Sequence, residues 1–186
     1  MTNALKPLFL AVFLISSAAA AERTVTMDPA RSRLEVNVKA NVDKFTAKVS
    51  GFQADIRVDD SSRLPTAAVV RFRFDAIKTG KPDRDKEMNA WEQSGAYPDV
   101  SFTLTRITAS PRGGYDAEGQ VHLHGVDRPV HFPVTVALQG EKFVVDGQAA
   151  LDTRDFGLPV IKKYLVLKVD PHVGVLFHVE GSLPTP

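Results

Sequence analysis

Three histidines fall close together in the stretch Gly119 to Leu138: His122, His124 and His131. Val121 and Leu123 alternate with His122 and His124, and Gly125-Val-Asp-Arg-Pro129 reads as a turn. Val130, Phe132, Val134, Val136 and Leu138 then alternate with more polar or smaller residues, so the stretch reads as a β-hairpin with one apolar face. Period-2 parity puts the three imidazoles together on the other face. They would hold zinc or copper if they converged to about 2.0–2.1 Å of one ion, and the chain would then be a metal- or haem-associated redox partner. They would equally be wet-face residues beside a turn, since any hairpin brings antiparallel neighbours within roughly 5 Å. His172 and His178 are scattered and read as structural.

Carboxylates form the second chemical signal. Asp83, Asp85 and Glu87 lie close together, as do Asp152 and Asp155. Acid–base work needs two carboxylates facing one cleft, in environments that split their pKa values. The first group is interleaved with Lys81, Arg84 and Lys86, the pattern of a solvated helix face. Asp152, Arg154 and Asp155 read as a loop fixed by turn hydrogen bonds and an ion pair. No Gly-x-Ser-x-Gly elbow, phosphate loop or dinucleotide fingerprint is present. A lipid hydrolase or isomerase would need a nucleophile with its base, and none is supplied; the chain does not read as an enzyme. It contains no cysteine, which removes disulfides, thiol catalysis and cysteine-ligated metals.

The elements that must carry these residues are mostly strands. Arg23 to Met27 opens one, and Leu34, Val36 and Val38 alternate in the next. Phe45, Ala47 and Val49 alternate up to Gly51, which reads as a bulge because the apolar parity then switches to Phe52, Ala54, Ile56 and Val58. Asp59 to Pro65 is a turn by composition. Val70, Phe72 and Phe74 follow, then Val100, Phe102 and Leu104, the hairpin, and Phe143 to Leu151. Tyr164 to Val169 and Val173 to Val179 end the series. Asp83 to Glu92 breaks the pattern as one short helix, with Pro82 in its first turn and Met88 and Trp91 on one face. Short strands at this spacing make an all-β fold, an antiparallel barrel or sandwich, and the barrel is favoured because closure removes exposed edges.

Residues 1–21 read as a secretory signal peptide. Lys6 is the positive n-region, Leu8 to Ile15 the apolar core, and the serines and alanines through Ala21 the cleavage region. The mature part, residues 22–186, reads as a single domain, exported to the periplasm. Lys6 is the only charge lost, so basic and acidic residues balance, with no footprint for nucleic acid and no polybasic patch for anionic lipid.

Phenylalanines occupy the apolar-face positions of nearly every strand. They would fill a core, or they would line one apolar cavity, because a small closed barrel has room for either. Ala47, Ala54, Gly147 and Ala149 on the same face would leave space for a ligand. Phe45, Phe72, Phe74, Trp91, Phe102, Val121, Phe132, Val134 and Phe177 are the expected lining.

Several segments, in order, resemble one family. They are Ala76-Ile-Lys-Thr-Gly80, Asp83-Arg-Asp85, Tyr97-Pro-Asp-Val-Ser-Phe102, Gly119-Gln-Val-His-Leu-His-Gly-Val-Asp-Arg-Pro-Val130 and Arg154-Asp-Phe-Gly157. Together they are similar to the YceI-like proteins, known as periplasmic polyisoprenoid-binding proteins. The resemblance implies a lipocalin-like β-barrel capped by a helix, with an elongated apolar interior holding a long prenyl chain. It implies an exported protein without catalytic residues or a cofactor, other than a bound isoprenoid lipid or quinone-like molecule, for transport or storage. Candidate partners are that lipid, a second copy of the chain and, by the same resemblance, a cytochrome b561-type membrane protein.

Overall fold

The computed structural model describes residues 21–41, 43–163 and 167–184. The signal-peptide expectation falls on residues outside these, except for Ala21. Within them the chain runs β1 (Glu22–Met27), β2 (Arg33–Lys39), β3 (Lys44–Val49), β4 (Gln53–Asp59), β5 (Pro65–Arg73) and β6 (Ile77–Lys78). The helix α1 (Pro82–Glu92) follows, then β7 (Asp99–Ala109), β8 (Tyr115–Leu123), β9 (Val126–Gln139) and β10 (Lys142–Asp152). The short pair β11 (Lys162–Lys163) and β12 (Leu167–Lys168) precedes the last strand, β13 (His172–Ser182). Of the expected strand Tyr164 to Val169, residues 164–166 lie outside the described residues.

Eight strands close a ring in the order β1-β4-β5-β7-β8-β9-β10-β13, with β13 returning to β1. All neighbours in it are antiparallel, so the expected barrel is the observed fold. One flank of β13 is shared. Gly174 to His178 pair with β2, and Gly181 and Ser182 pair with β1. Thus β1 and β2 act as one strand interrupted at Asp28–Ser32. Beyond β2, β3 and β6 extend the wall around one end of the barrel.

Gly51 is not a bulge. It sits at φ 65° in the bend between β3 and β4, where the chain changes partners: β3 pairs with β2 and β6, and β4 with β1 and β5. The parity switch recorded a new strand. The opposite end of the barrel is sealed by fully buried side chains, among them Val58, Phe143 and Leu183.

The helix forms where strand periodicity lapses. Pro82 takes the first helical position, where its missing N–H costs nothing. The backbone N–H and hydroxyl of Thr79 both donate to Asp85 Oδ1, at 2.8 and 2.5 Å, holding the first turn. Gln93, in the left-handed region at φ 62°, ends the helix by donating its N–H to the Asn89 carbonyl.

Candidate ligand chamber

Inward parity along the strands leaves the barrel interior unequally filled. At the end covered by α1 there is a chamber of about 690 Å³. Phe45, Ala47, Phe72, Phe74, Val100, Leu123 and Val175 form its barrel walls, Met88 and Trp91 reach it from α1, and Leu158, Pro159, Val160 and Ile161 close its side. Toward the sealed end lies a narrower space of about 160 Å³, walled by Phe102, Val121, Phe132, Val134, Phe143 and Phe177 among others. Phe72, Val100, Leu151 and Val175 line both, so the two are successive parts of one lumen. Phe45, Phe72 and Trp91 are only partly buried although they face inward; the surface they retain is chamber wall.

The lining residues expected from strand parity therefore divide. Phe45, Phe74 and Trp91 stand at the wide part, Phe72 at the junction, and Phe102, Val121, Phe132, Val134 and Phe177 around the narrow part. Of the small residues expected to make room, Ala47 lines the wide part and Ala149 the narrow one. Gly147 leaves no space at all: a Cβ there would lie 2.3 Å from Phe177 Cζ, because the phenyl ring occupies that volume.

The cover is held by polar contacts at its edges. Trp91 Nε1 donates to the Pro159 carbonyl at 2.8 Å, tying α1 to the segment after β10. The Arg84 guanidinium stacks 3.9 Å from the Phe45 ring centroid and lies 3.7 Å from Asp43 Oδ2. Asp43, Asp83, Glu87 and Lys162 are exposed on the rim of the chamber. The expected loop at Asp152, Arg154 and Asp155 contains a 3-10 turn over Thr153–Phe156, capped by Asp152 accepting from the Arg154 backbone N–H. The Arg154 guanidinium beside it, chiefly through its hydrogen bond, holds the Asp152 carboxyl down at about 2. Arg128 Nε donates to the Asp155 carbonyl at 2.7 Å, fastening this turn to the hairpin.

The hairpin itself differs from its expected form. Its turn is two residues, His124 and Gly125, at φ 51° and 70°, as a type I′ turn requires. Val126 already pairs with Leu123, and Asp127, Arg128 and Pro129 belong to β9. Counting from that turn, Pro129 and Pro133 occupy positions whose missing N–H points away from β8, along the part of β9 that precedes its pairing with β10 at Val134. Proline there breaks no ladder bond.

This turn also disperses the histidines. His122 Nδ1 pairs with Asp127 Oδ1 at 2.8 Å on the outer face, and His131 Nε2 lies 3.8 Å from Asp116 Oδ1. His124 has left the strand. Its ring tilts against Tyr97 at 4.3 Å between centroids, and its Nδ1 donates to the Glu92 carbonyl at 2.8 Å. Among the described residues no group of three or more histidines and carboxylates is arranged to hold a metal. The shared-face expectation fails because a left-handed turn residue does not follow strand parity.

One buried group went unread in the sequence. Glu92, the last helical residue, is fully buried, and neither carboxylate oxygen has a hydrogen-bond partner. Desolvation pushes its carboxyl up to about 7. It falls one helical turn after Met88, on the face turned toward the barrel, and that spacing was the available signal. It is not itself a chamber wall.

The fold and this interior define a lipocalin-like class: a closed antiparallel barrel with one apolar lumen under a helical cover. Within that class the chain belongs to the YceI-like family, whose domain model matches residues 25–181. It is 22% identical over 183 residues to a UPF0312 protein of Vibrio campbellii, covering 94% of each chain. Solved structures that share the fold include the following two. Burkholderia cenocepacia BcnA superposes with a TM-score of 0.74 at 21% identity, covering 84% of this chain and all (100%) of that one. A polyisoprenoid-binding domain from Saccharophagus degradans, implicated in plant cell wall breakdown, superposes with a TM-score of 0.60 at 14% identity, covering 89% of this chain and all (100%) of that one.

Proposed function

We propose that the protein is an exported, non-enzymatic binding protein that holds an isoprenoid-type apolar molecule non-covalently in its barrel, for transport or storage in the periplasm. The observation that carries the reading is the chamber of about 690 Å³, within the range of small-molecule sites. Its inner walls are aromatic and aliphatic, charged residues stand at its mouth, and a narrower, still more apolar space adjoins it. Such a site stabilises a hydrocarbon by about 0.8 kcal/mol for each methylene taken from water, with no need for directional polar contacts. The charged rim lets a polar head group stay near water while the chain enters. Membership of the YceI-like family, and the likeness to a solved polyisoprenoid-binding domain, agree with this.

The test is extraction. Protein secreted to the periplasm and purified without detergent should show in native mass spectrometry a bound mass that organic solvent releases as a prenyl lipid or quinone. A lipid-free mass spectrum, together with no uptake of added prenyl alcohols, would end the proposal.

A further inference from the structure

The lumen narrows abruptly, and three rings set the place. Phe102 stands on β7 and Phe177 on β13, four strands apart in the closed ring of eight, hence on opposite walls. Each leans over a glycine of the strand beside it. A Cβ on Gly119 of β8 would lie 2.3 Å from a Phe102 ring carbon, and one on Gly147 of β10 equally close to Phe177. Only glycine lets the rings seat there. Both rings then meet Phe132 of β9, with centroids 5.4 Å from Phe102 and 5.7 Å from Phe177. The three rings form a belt over half the circumference, inside a barrel type whose interior is only just wide enough for side chains.

Space on the two sides of this belt is unequal: about 690 Å³ toward the mouth and about 160 Å³ around and beyond it. Roughly fourfold more space therefore lies before the belt than around and beyond it, so most of an apolar chain must be housed on the mouth side.

We propose that the Phe102–Phe132–Phe177 belt is a length stop, so that this barrel takes short prenyl chains, or apolar molecules of similar size, and excludes long polyisoprenoids. The inference rests on the isoprenoid-binding reading and narrows it. Phe102, Phe132 and Phe177 are then specificity-determining residues, and Gly119 and Gly147 are the seats that hold two of them.

The test uses a homologous series. The delipidated protein is titrated with geraniol, farnesol, geranylgeraniol and solanesol, delivered in a mild detergent, and read by the fluorescence of Trp91, the chain's single tryptophan and a wall of the wide chamber. Affinity should rise to geranylgeraniol and then fall about tenfold or more for solanesol, whose extra units find no apolar space. Phe132→Leu should bring solanesol to within about threefold of geranylgeraniol, and Phe177→Leu should do the same if the first variant does not fold. Equal binding of solanesol and geranylgeraniol by the wild-type protein overturns the stop while leaving isoprenoid binding intact. Folded variants that keep the wild-type discrimination also overturn it. If no prenyl alcohol binds, the isoprenoid reading falls and takes the stop with it.

Discussion

His124 Nδ1 lies 2.8 Å from the backbone carbonyl of Glu92 and 3.6 Å from its carboxylate Oε1, so the hairpin tip and the end of the helical cover are joined at one buried point. Glu92 is fully buried there, and its carboxyl titrates near 7 in the folded protein against an ordinary carboxylate value in the unfolded chain. The folded state therefore binds the proton more tightly. Stability from this group is fully present below about pH 4.3 and falls as pH rises through 7. Glu92→Gln removes the titration. Thermal unfolding followed by circular dichroism from pH 5 to 8 should show the wild type losing stability relative to the variant, on the order of 2–3 kcal/mol by pH 8. Parallel curves would show that Glu92 is ionised throughout.

Trp91 joins α1 to Pro159 by one hydrogen bond. Trp91→Phe keeps an aromatic wall but drops the N–H donor. The expected cost is about 0.5–1.5 kcal/mol of stability, together with faster release of any bound prenyl alcohol, measured by transfer to acceptor liposomes. Unchanged release would mean that this contact does not hold the cover.

Gly147→Ala drives a methyl group into the Phe177 ring. Overpacking of this kind should cost about 1–3 kcal/mol in urea unfolding. Gly174→Ala is the control on the neighbouring strand β13. Its Cβ would meet nothing nearer than 3.8 Å, so the substitution should be neutral or slightly stabilising, by about 0.4–1 kcal/mol. Similar losses for both would indicate a backbone effect rather than the ring.

The exposed His122 meets Asp127 at 2.8 Å, and the exposed His131 lies 3.8 Å from the half-buried Asp116. Replacing both by alanine should shift stability by no more than about 0.5 kcal/mol for each, and should leave the zinc and copper content of the purified protein unchanged. Loss of a stoichiometric metal on substitution would contradict the dispersal described above.

Much of the fold was legible because burial on one face of a strand writes itself as period two. Val100, Phe102 and Leu104, or Val134 and Val136, needed no further information. The helix was legible from Pro82 and the lapse of that period. What failed depended on partners distant in the chain. Gly147 looked like space until its register with Phe177 put a ring over it. Gly51 looked like a bulge because one strand cannot announce that it pairs elsewhere. At the hairpin, Pro129 outweighed His124-Gly125 as a turn signal, although proline is compatible with an unpaired strand position and His-Gly is compatible with two left-handed residues. Glu92 reads in the sequence as one more charge on a charged helix.

The sharing of β13 between β1 and β2 bears on the order of assembly. The ring has no covalent closure, and its last seam joins Thr26 and Met27 to Ser182 and Gly181, from opposite ends of the described chain. Until β13 emerges during synthesis, β10 on one side and β1 and β2 on the other are unpaired edges, the most aggregation-prone feature a sheet can present. A contact so distant in sequence is also among the slowest to form. A chain cut before His172 would thus be an open sheet exposing an apolar face, rather than a smaller barrel, and completion of the C-terminal strand is the step that makes the interior an inside.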